Sequence, residues 1–231
     1  MNELFSEVLR KRAYLAKATA AALVFWLAQF AFQLYVAGAP FNAAVARSLA
    51  FSAATLVGLA FLAGPLAITA PRFAWLVRHR RALGVAGFIF GVAHWQFVTA
   101  KYFSYNAAVL AELNPLRNPL VFGLLALLFL LPAFLTSVDW AMRKLGGKWK
   151  LAQRTAYAGF IVLVLHFSFQ NPAQLATLPG VLLLAVTMAA MVLMLLVFAR
   201  RVAAGRSGKG VFVGIALALA GILLLAAMLA R

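Results

Sequence analysis

Seven apolar runs, each about the 20 residues that one bilayer crossing needs, alternate along the chain with short polar or basic stretches. They are Ala18–Val36, Val45–Ile68, Ala82–Phe103, Pro119–Val138, Gln153–Gln170, Pro179–Ala199 and Val211–Ala230. The pattern predicts an all-α, polytopic membrane helical bundle with seven transmembrane helices. Six of them form a core over residues 18–199, and an accessory helix spans 211–230, apolar on all sides as a lipid-facing helix is. Residues 1–17, MNELFSEVLRKRAYLAK, are basic and amphipathic and fit a cytoplasmic segment lying along the inner membrane surface. Ala37-Gly38-Ala39 has the small residues of a leader-cleavage site. The long run before it, Pro40 after it and six further helices that need this one for orientation argue that the helix is retained.

Composition removes the soluble alternatives. Of 231 residues, 66% are hydrophobic, too little polar sequence to cover a globular surface in water. With no cysteine, disulfides, covalently attached haem, cluster ligation and thiol catalysis drop out together. Glu3, Glu7, Glu112 and Asp139, the four acids, fall outside or at the very ends of the apolar runs, so ion-driven transport has no carboxylate to use.

The net charge of +17 would suggest nucleic acid if it were spread evenly, but it is not. All but four of the 21 lysines and arginines precede helix one or lie between helices two and three, four and five, and six and seven. Arg47, Lys101, Arg117 and Arg231 occupy the other side. This asymmetry puts the N-terminus in the cytoplasm and the C-terminus outside, in a multi-pass protein of a bacterial-type inner membrane. Anionic lipid headgroups are the partner that such basicity implies, and nucleic acid is not.

Two histidines stand inside this apolar frame. His94 lies 12 residues past Ala82 and His166 lies 13 past Gln153, about 18–20 Å along each helix from the same surface. Intramembrane ionisable residues are scarce and costly, and two imidazoles at one depth predict the axial ligand pair of a single b-type haem. The competing reading is a pair of neutral imidazoles hydrogen-bonded to neighbouring helices. Gly87 and Gly91 continue the His94 face, where absent side chains make room either for a flat macrocycle or for helix packing. Gly159 lies two turns before His166 in the same way. Lys101, two turns outward from His94, is placed to hold a haem propionate or to anchor the helix at the interface. Gln29 and Gln33 share a face with Trp26 and Phe30, as interhelical hydrogen-bonding groups or as the lining of a quinone or haem edge. His79, in the Arg78–Arg81 cluster, is expected in a solvated loop. The glycines from Gly205 to Gly210 do not make a phosphate loop, because Ala203 and Gly210 stand where the motif needs Gly and Ser or Thr.

Several short motifs fall in a telling order: Gly64-Pro65-Leu66, Arg81 with Leu83-Gly84, His94, Leu135-Thr136-Ser137, Leu145-Gly146, Trp149, Tyr157 and His166. Over roughly residues 64–170 the chain resembles the ferric reductase-like transmembrane domain family. The resemblance implies membrane electron transfer from a quinol or a partner reductase to an outer-side acceptor. The family pattern carries a further histidine early in helix five, and Gln153 stands in its place. Glutamine is a poor ligand for iron, so the sequence supports one haem at most. No dinucleotide fingerprint is present and no motif supports a flavin. A non-redox membrane scaffold is the alternative, favoured by Gln153 and opposed by His94 with His166.

Overall fold

Prolines and left-handed backbone set most of the breaks between helices. The computed structural model describes residues 2–106, 108, 111, 118, 120–170 and 172–205. Helix α1, Asn2–Ala31, continues through a π-helical turn, Phe32–Val36, and stops before Gly38, whose φ is +61°. Pro40 directly precedes α2, Phe41–Thr69, where a missing N–H leaves no helical bond unmade. Pro65 lies inside α2 without ending it: the hydroxyl of Thr69 donates to the carbonyls of Pro65 and Leu66, at 3.0 and 3.3 Å. Pro71 opens a 3-10 segment, Pro71–His79, that runs straight into α3, Arg80–Phe103. Ser104 and Tyr105, with φ of 47° and 53°, then turn the chain out of α3, and the Tyr105 N–H closes back on the Thr99 carbonyl.

The second half repeats the scheme with shorter pieces. Helix α4, Leu120–Leu135, is followed by α5, Asp139–Leu145, a 3-10 turn, Gly146–Lys148, and α6, Trp149–Gln170. A 3-10 turn, Pro172–Ala176, leads into α7, Leu178–Ala203. Every regular element among the described residues is helical.

Four segments are long and apolar enough to cross a membrane: Ala13–Val36, Phe41–Thr69, Pro71–Phe103 and Leu178–Ala203. The pair Leu120–Leu135 and Asp139–Gln170, bent by 83°, counts as a fifth. Seven predicted spans thus stand at four or five among the described residues. Helix α4 falls short because it ends at Leu135, giving 16 residues where the apolar run promised 20. The accessory helix over 211–230 lies outside the described residues, as do Glu112, Arg117, Arg206 and Lys209. Two further expectations shift: α1 runs unbroken from Asn2 past Lys17, and Arg78–Arg81 sit on helical turns instead of a loop.

Helices α2, α3, α4 and α6 close into a four-membered ring. Along the α2–α3 edge Ala46 meets His94, Val57 meets Gly87 and Ala60 meets Gly84, an antiparallel pairing. Along the α4–α6 edge Gly123 meets His166, Ala126 and Leu130 meet Gly159, and Ala133 meets Gln153, again antiparallel. Gly91 against Leu127 and Phe88 stacked on Phe134, centroids 4.4 Å apart, close the α3–α4 edge. Phe61 of α2 stacks on Phe160 of α6 at 4.6 Å and closes the fourth. Lipid tails are as apolar as leucine, so fit at small residues, more than water exclusion, holds such a ring together. Helices α1 and α7 lie outside it against α2, through the Trp26 indole donating to Ser48 at 3.1 Å and through Val186 and Thr187 at Gly58. The ring puts α3 and α6 on one diagonal, parallel to each other.

Candidate functional site

His94 and His166 face each other across that diagonal, ring centroids 6.5 Å apart and planes at 64°. Both are partly buried. Their equal depth follows from the ring: α3 and α6 run the same way, and each carries its histidine in its outward half.

A flanking helix holds each imidazole. On one side His94 Nδ1 lies 2.9 Å from the carbonyl oxygen of Ala46 on α2. A carbonyl only accepts, so Nδ1 carries the proton and Nε2 keeps its lone pair, the tautomer that a metal ligand requires. On the other side the His166 ring lies on Gly123 of α4. A Cβ there would come within 3.0 Å of Cε1 and 3.3 Å of both ring nitrogens. Neither Ala46 nor Gly123 was singled out by the sequence. A backbone carbonyl leaves no mark on residue type, whereas a lone glycine in the apolar run Leu120–Leu135 was the available signal for the second.

The remaining candidates divide. Gly87 lies in the α2–α3 contact, where a Cβ would meet Val57 Cγ2 at 2.8 Å and the backbone of Ala53 and Val57 at 3.0 Å. Gly91 faces the Leu127 side chain at 3.1 Å, and Gly159 faces Leu130 at 2.8 Å. All three glycines therefore admit neighbouring helices at close range. Lys101 is exposed in the last turn of α3. Gln33 is buried with neither amide atom paired among the described residues, so it makes no interhelical hydrogen bond there. His79 is not a free loop residue: it stacks on Tyr14 with centroids 5.6 Å apart, and its Nδ1 lies 3.1 Å from the Tyr14 hydroxyl.

Gln153 is spent on the end of α4. Its Nε2 donates to the Ala133 carbonyl at 3.0 Å and to the Thr136 hydroxyl at 2.9 Å. That hydroxyl donates in turn to the Pro132 carbonyl at 2.7 Å, Ser137 donates to Ala133 at 2.6 Å, and the Trp149 indole donates to the Thr136 carbonyl at 3.1 Å. The last turn of any helix leaves carbonyls without intrahelical donors. Here Thr136, Ser137, Trp149 and Gln153 supply them, a physical role for the Leu135-Thr136-Ser137 and Trp149 motifs.

These features define a multi-pass, all-helical membrane protein with paired imidazoles inside a four-helix ring. The chain belongs to the family described as ferric reductase like transmembrane component, whose profile matches residues 46–164. The match takes in His94 and Gln153 and stops two residues short of His166. Among curated proteins it is similar to the protein-methionine-sulfoxide reductase heme-binding subunit MsrQ of Agrobacterium fabrum, at 34% identity over 40% of this chain and 43% of that protein. The subunits of the same name from Brucella ovis and Brucella canis are each 31% identical over 40% of this chain and 42% of theirs. The chain thus aligns with less than half the length of these relatives. No solved structure matches it.

Proposed function

We propose that this protein is a membrane b-type cytochrome whose one haem is held by His94 and His166, and that it passes electrons from a quinol or partner reductase to an acceptor on the outer side. The carrying observation is the 6.5 Å between imidazole centroids. Two imidazoles on one iron, with metal–nitrogen bonds of about 2 Å, have centroids about 6.3 Å apart. Support also comes from the His94 tautomer, from the family, and from relatives named as haem-binding subunits. Among the described residues no group of three or more His, Cys, Asp or Glu gathers, which suits two axial ligands on a macrocycle better than a bare metal cage.

When bound, the haem supplies one-electron redox chemistry within the membrane. The chain's own part is to hold and orient. Ala46 fixes the His94 ring and its proton, Gly123 leaves the His166 ring its place, and the aromatic pairs of the ring exclude water below. Helices α4 and α6 pack antiparallel along each other, so each crosses the membrane separately. With the helix over 211–230 the full count returns to seven, the N-terminus in the cytoplasm and the C-terminus outside. Residues 18–199 form the bundle and 64–170 its redox core.

Optical spectra of the purified protein, oxidised and then reduced, test the reading. The expected result is the paired bands of a low-spin six-coordinate b haem at one per chain, lost in His94→Ala and in His166→Ala. A normal spectrum in both variants would overturn the assignment, and a colourless wild type would point to the scaffold.

A further inference from the structure

Directly inward of the histidines, the same four-helix ring encloses a cleft of about 300 Å³. Phe61, Phe88, Leu130 and Phe134 form its apolar walls, with Trp149 near the mouth. Its polar groups are Arg80, Arg81, Ser137 and Gln153. Arg80 stands 14 residues before His94 on α3, and Gln153 stands 13 before His166 on α6. The cleft therefore repeats the histidine diagonal one level inward, with a guanidinium and a carboxamide where the imidazoles were.

That exchange decides what the cleft can bind. A guanidinium has five donors and no lone pair to give, so no pair of ligands faces an iron here. Arg81 is neutralised by its ion pair with Asp139, whereas Arg80 makes no ion pair or hydrogen bond among the described residues. Both recorded bonds of Gln153 leave from Nε2, so Oε1 remains as the amide's acceptor. One wall thus offers a donor and the opposite wall an acceptor, with aromatic side chains between. A small-molecule site is typically of this kind: apolar, with a few polar groups that fix orientation. An acyl chain would leave the Gln153 oxygen against methylenes, at the cost of an unpaired buried polar group.

We infer that this cleft binds the head ring of a membrane quinol or quinone, one ring oxygen accepting from Arg80 and the other facing Gln153 Oε1. In the quinol form the second oxygen donates its hydroxyl hydrogen to that amide. The apolar tail runs along the aromatic walls toward lipid. The inference rests on the electron-transfer reading for its purpose, since it makes the cleft the donor side of the same ring, but its geometry is independent of the histidines.

Tryptophan fluorescence of the purified full chain, titrated with menadione and with a short-chain ubiquinone, reads the binding without any turnover. Expected is saturable quenching, diminished in Trp149→Phe, and weakened at least tenfold in Gln153→Leu and in Arg80→Met. The Arg80 substitution breaks no recorded contact, so it remains informative if Gln153→Leu folds poorly. Quenching that rises linearly without saturation, or saturation untouched by both variants, overturns the site. Displacement of the quinone by decanoate as readily as by a second quinone also overturns it, because the cleft would then be taking any amphiphile. A haem spectrum recorded on the same samples keeps the two readings apart. Saturable quenching without haem removes the histidine assignment alone, and haem without saturable quenching removes the quinol site alone.

Discussion

The Nδ1–H of His94 donates to the carbonyl oxygen of Ala46, 2.9 Å away and 48 residues earlier in the chain. The bond ties α3 to α2 at the level of the histidine pair and does for His94 what a second partner does for metal-bound imidazoles generally: it fixes ring orientation and raises ligand basicity.

His94→Met separates ligation from this bond. A thioether can ligate iron but has no N–H for Ala46. Weaker haem retention and a higher midpoint potential are expected, the direction in which a Met ligand moves a haem. A redox titration giving the wild-type potential would show that His94 is not an axial ligand.

Gly123→Ala tests the opposite side. The added methyl meets only His166 ring atoms within van der Waals range, at 3.0–3.3 Å, so the ring must give way. Alanine exceeds glycine in helix propensity by about 1 kcal/mol, so the helix itself is not weakened. Haem occupancy should fall severalfold while the thermal midpoint of the haem-free protein holds or rises. Unchanged occupancy would place His166 elsewhere in solution.

The depth match of His94 and His166 was legible because a helix converts residue number into distance at a fixed rise. The same arithmetic put Arg80 and Gln153 at the inner level. What the sequence did not carry was the direction of lateral neighbours. Gly87 and His94 share a face of α3, yet that face meets α2 at Gly87 and opens toward α6 at His94, because helices cross at an angle. Pro71 and the charges after it read as a loop, whereas a proline is tolerated in a first helical turn and the segment stays helical into α3. Leu135 ended α4 early because Thr136 and Ser137 prefer to donate to the preceding carbonyls.

For Gly87→Ala the outcome should be structural. Its Cβ would strike Val57 and backbone atoms of α2 at 2.8–3.0 Å, and backbone cannot swing aside as a side chain does. Overpacking of this kind costs about 1–3 kcal/mol. A lower melting temperature is expected, with an unaltered haem potential in the protein that remains folded. The reverse pattern, a shifted potential at normal stability, would return Gly87 to the cofactor.

Gln153→His restores the residue of the family pattern but not a second haem. A histidine there can still donate to Ala133 or Thr136, yet it faces Arg80, which offers iron no lone pair. Pyridine haemochrome assay should therefore give one haem per chain in the variant as in the wild type, and two in either would refute the inner-level reading. Gln153→Leu, by contrast, removes the donor from two acceptors at the end of α4 and should cost about 1–3 kcal/mol.

Lys101 follows His94 by two helical turns on one face, about 10 Å nearer the outer surface. It is exposed in the last turn of α3, where two roles compete: pairing with a haem propionate, or anchoring the helix among headgroups as long cationic side chains do. Removing a unit charge about 10 Å from the iron changes the energy of the added electron by about 0.4–1.7 kcal/mol for effective dielectric constants between roughly 80 and 20, tens of millivolts. Loss of positive charge makes the reduced state less favourable, so Lys101→Gln should lower the midpoint potential by that amount if the ammonium serves the haem, and more strongly at low salt. Lys101→Arg keeps the charge and should leave it in place. Equal potentials in all three proteins at full haem occupancy would assign Lys101 to the interface alone.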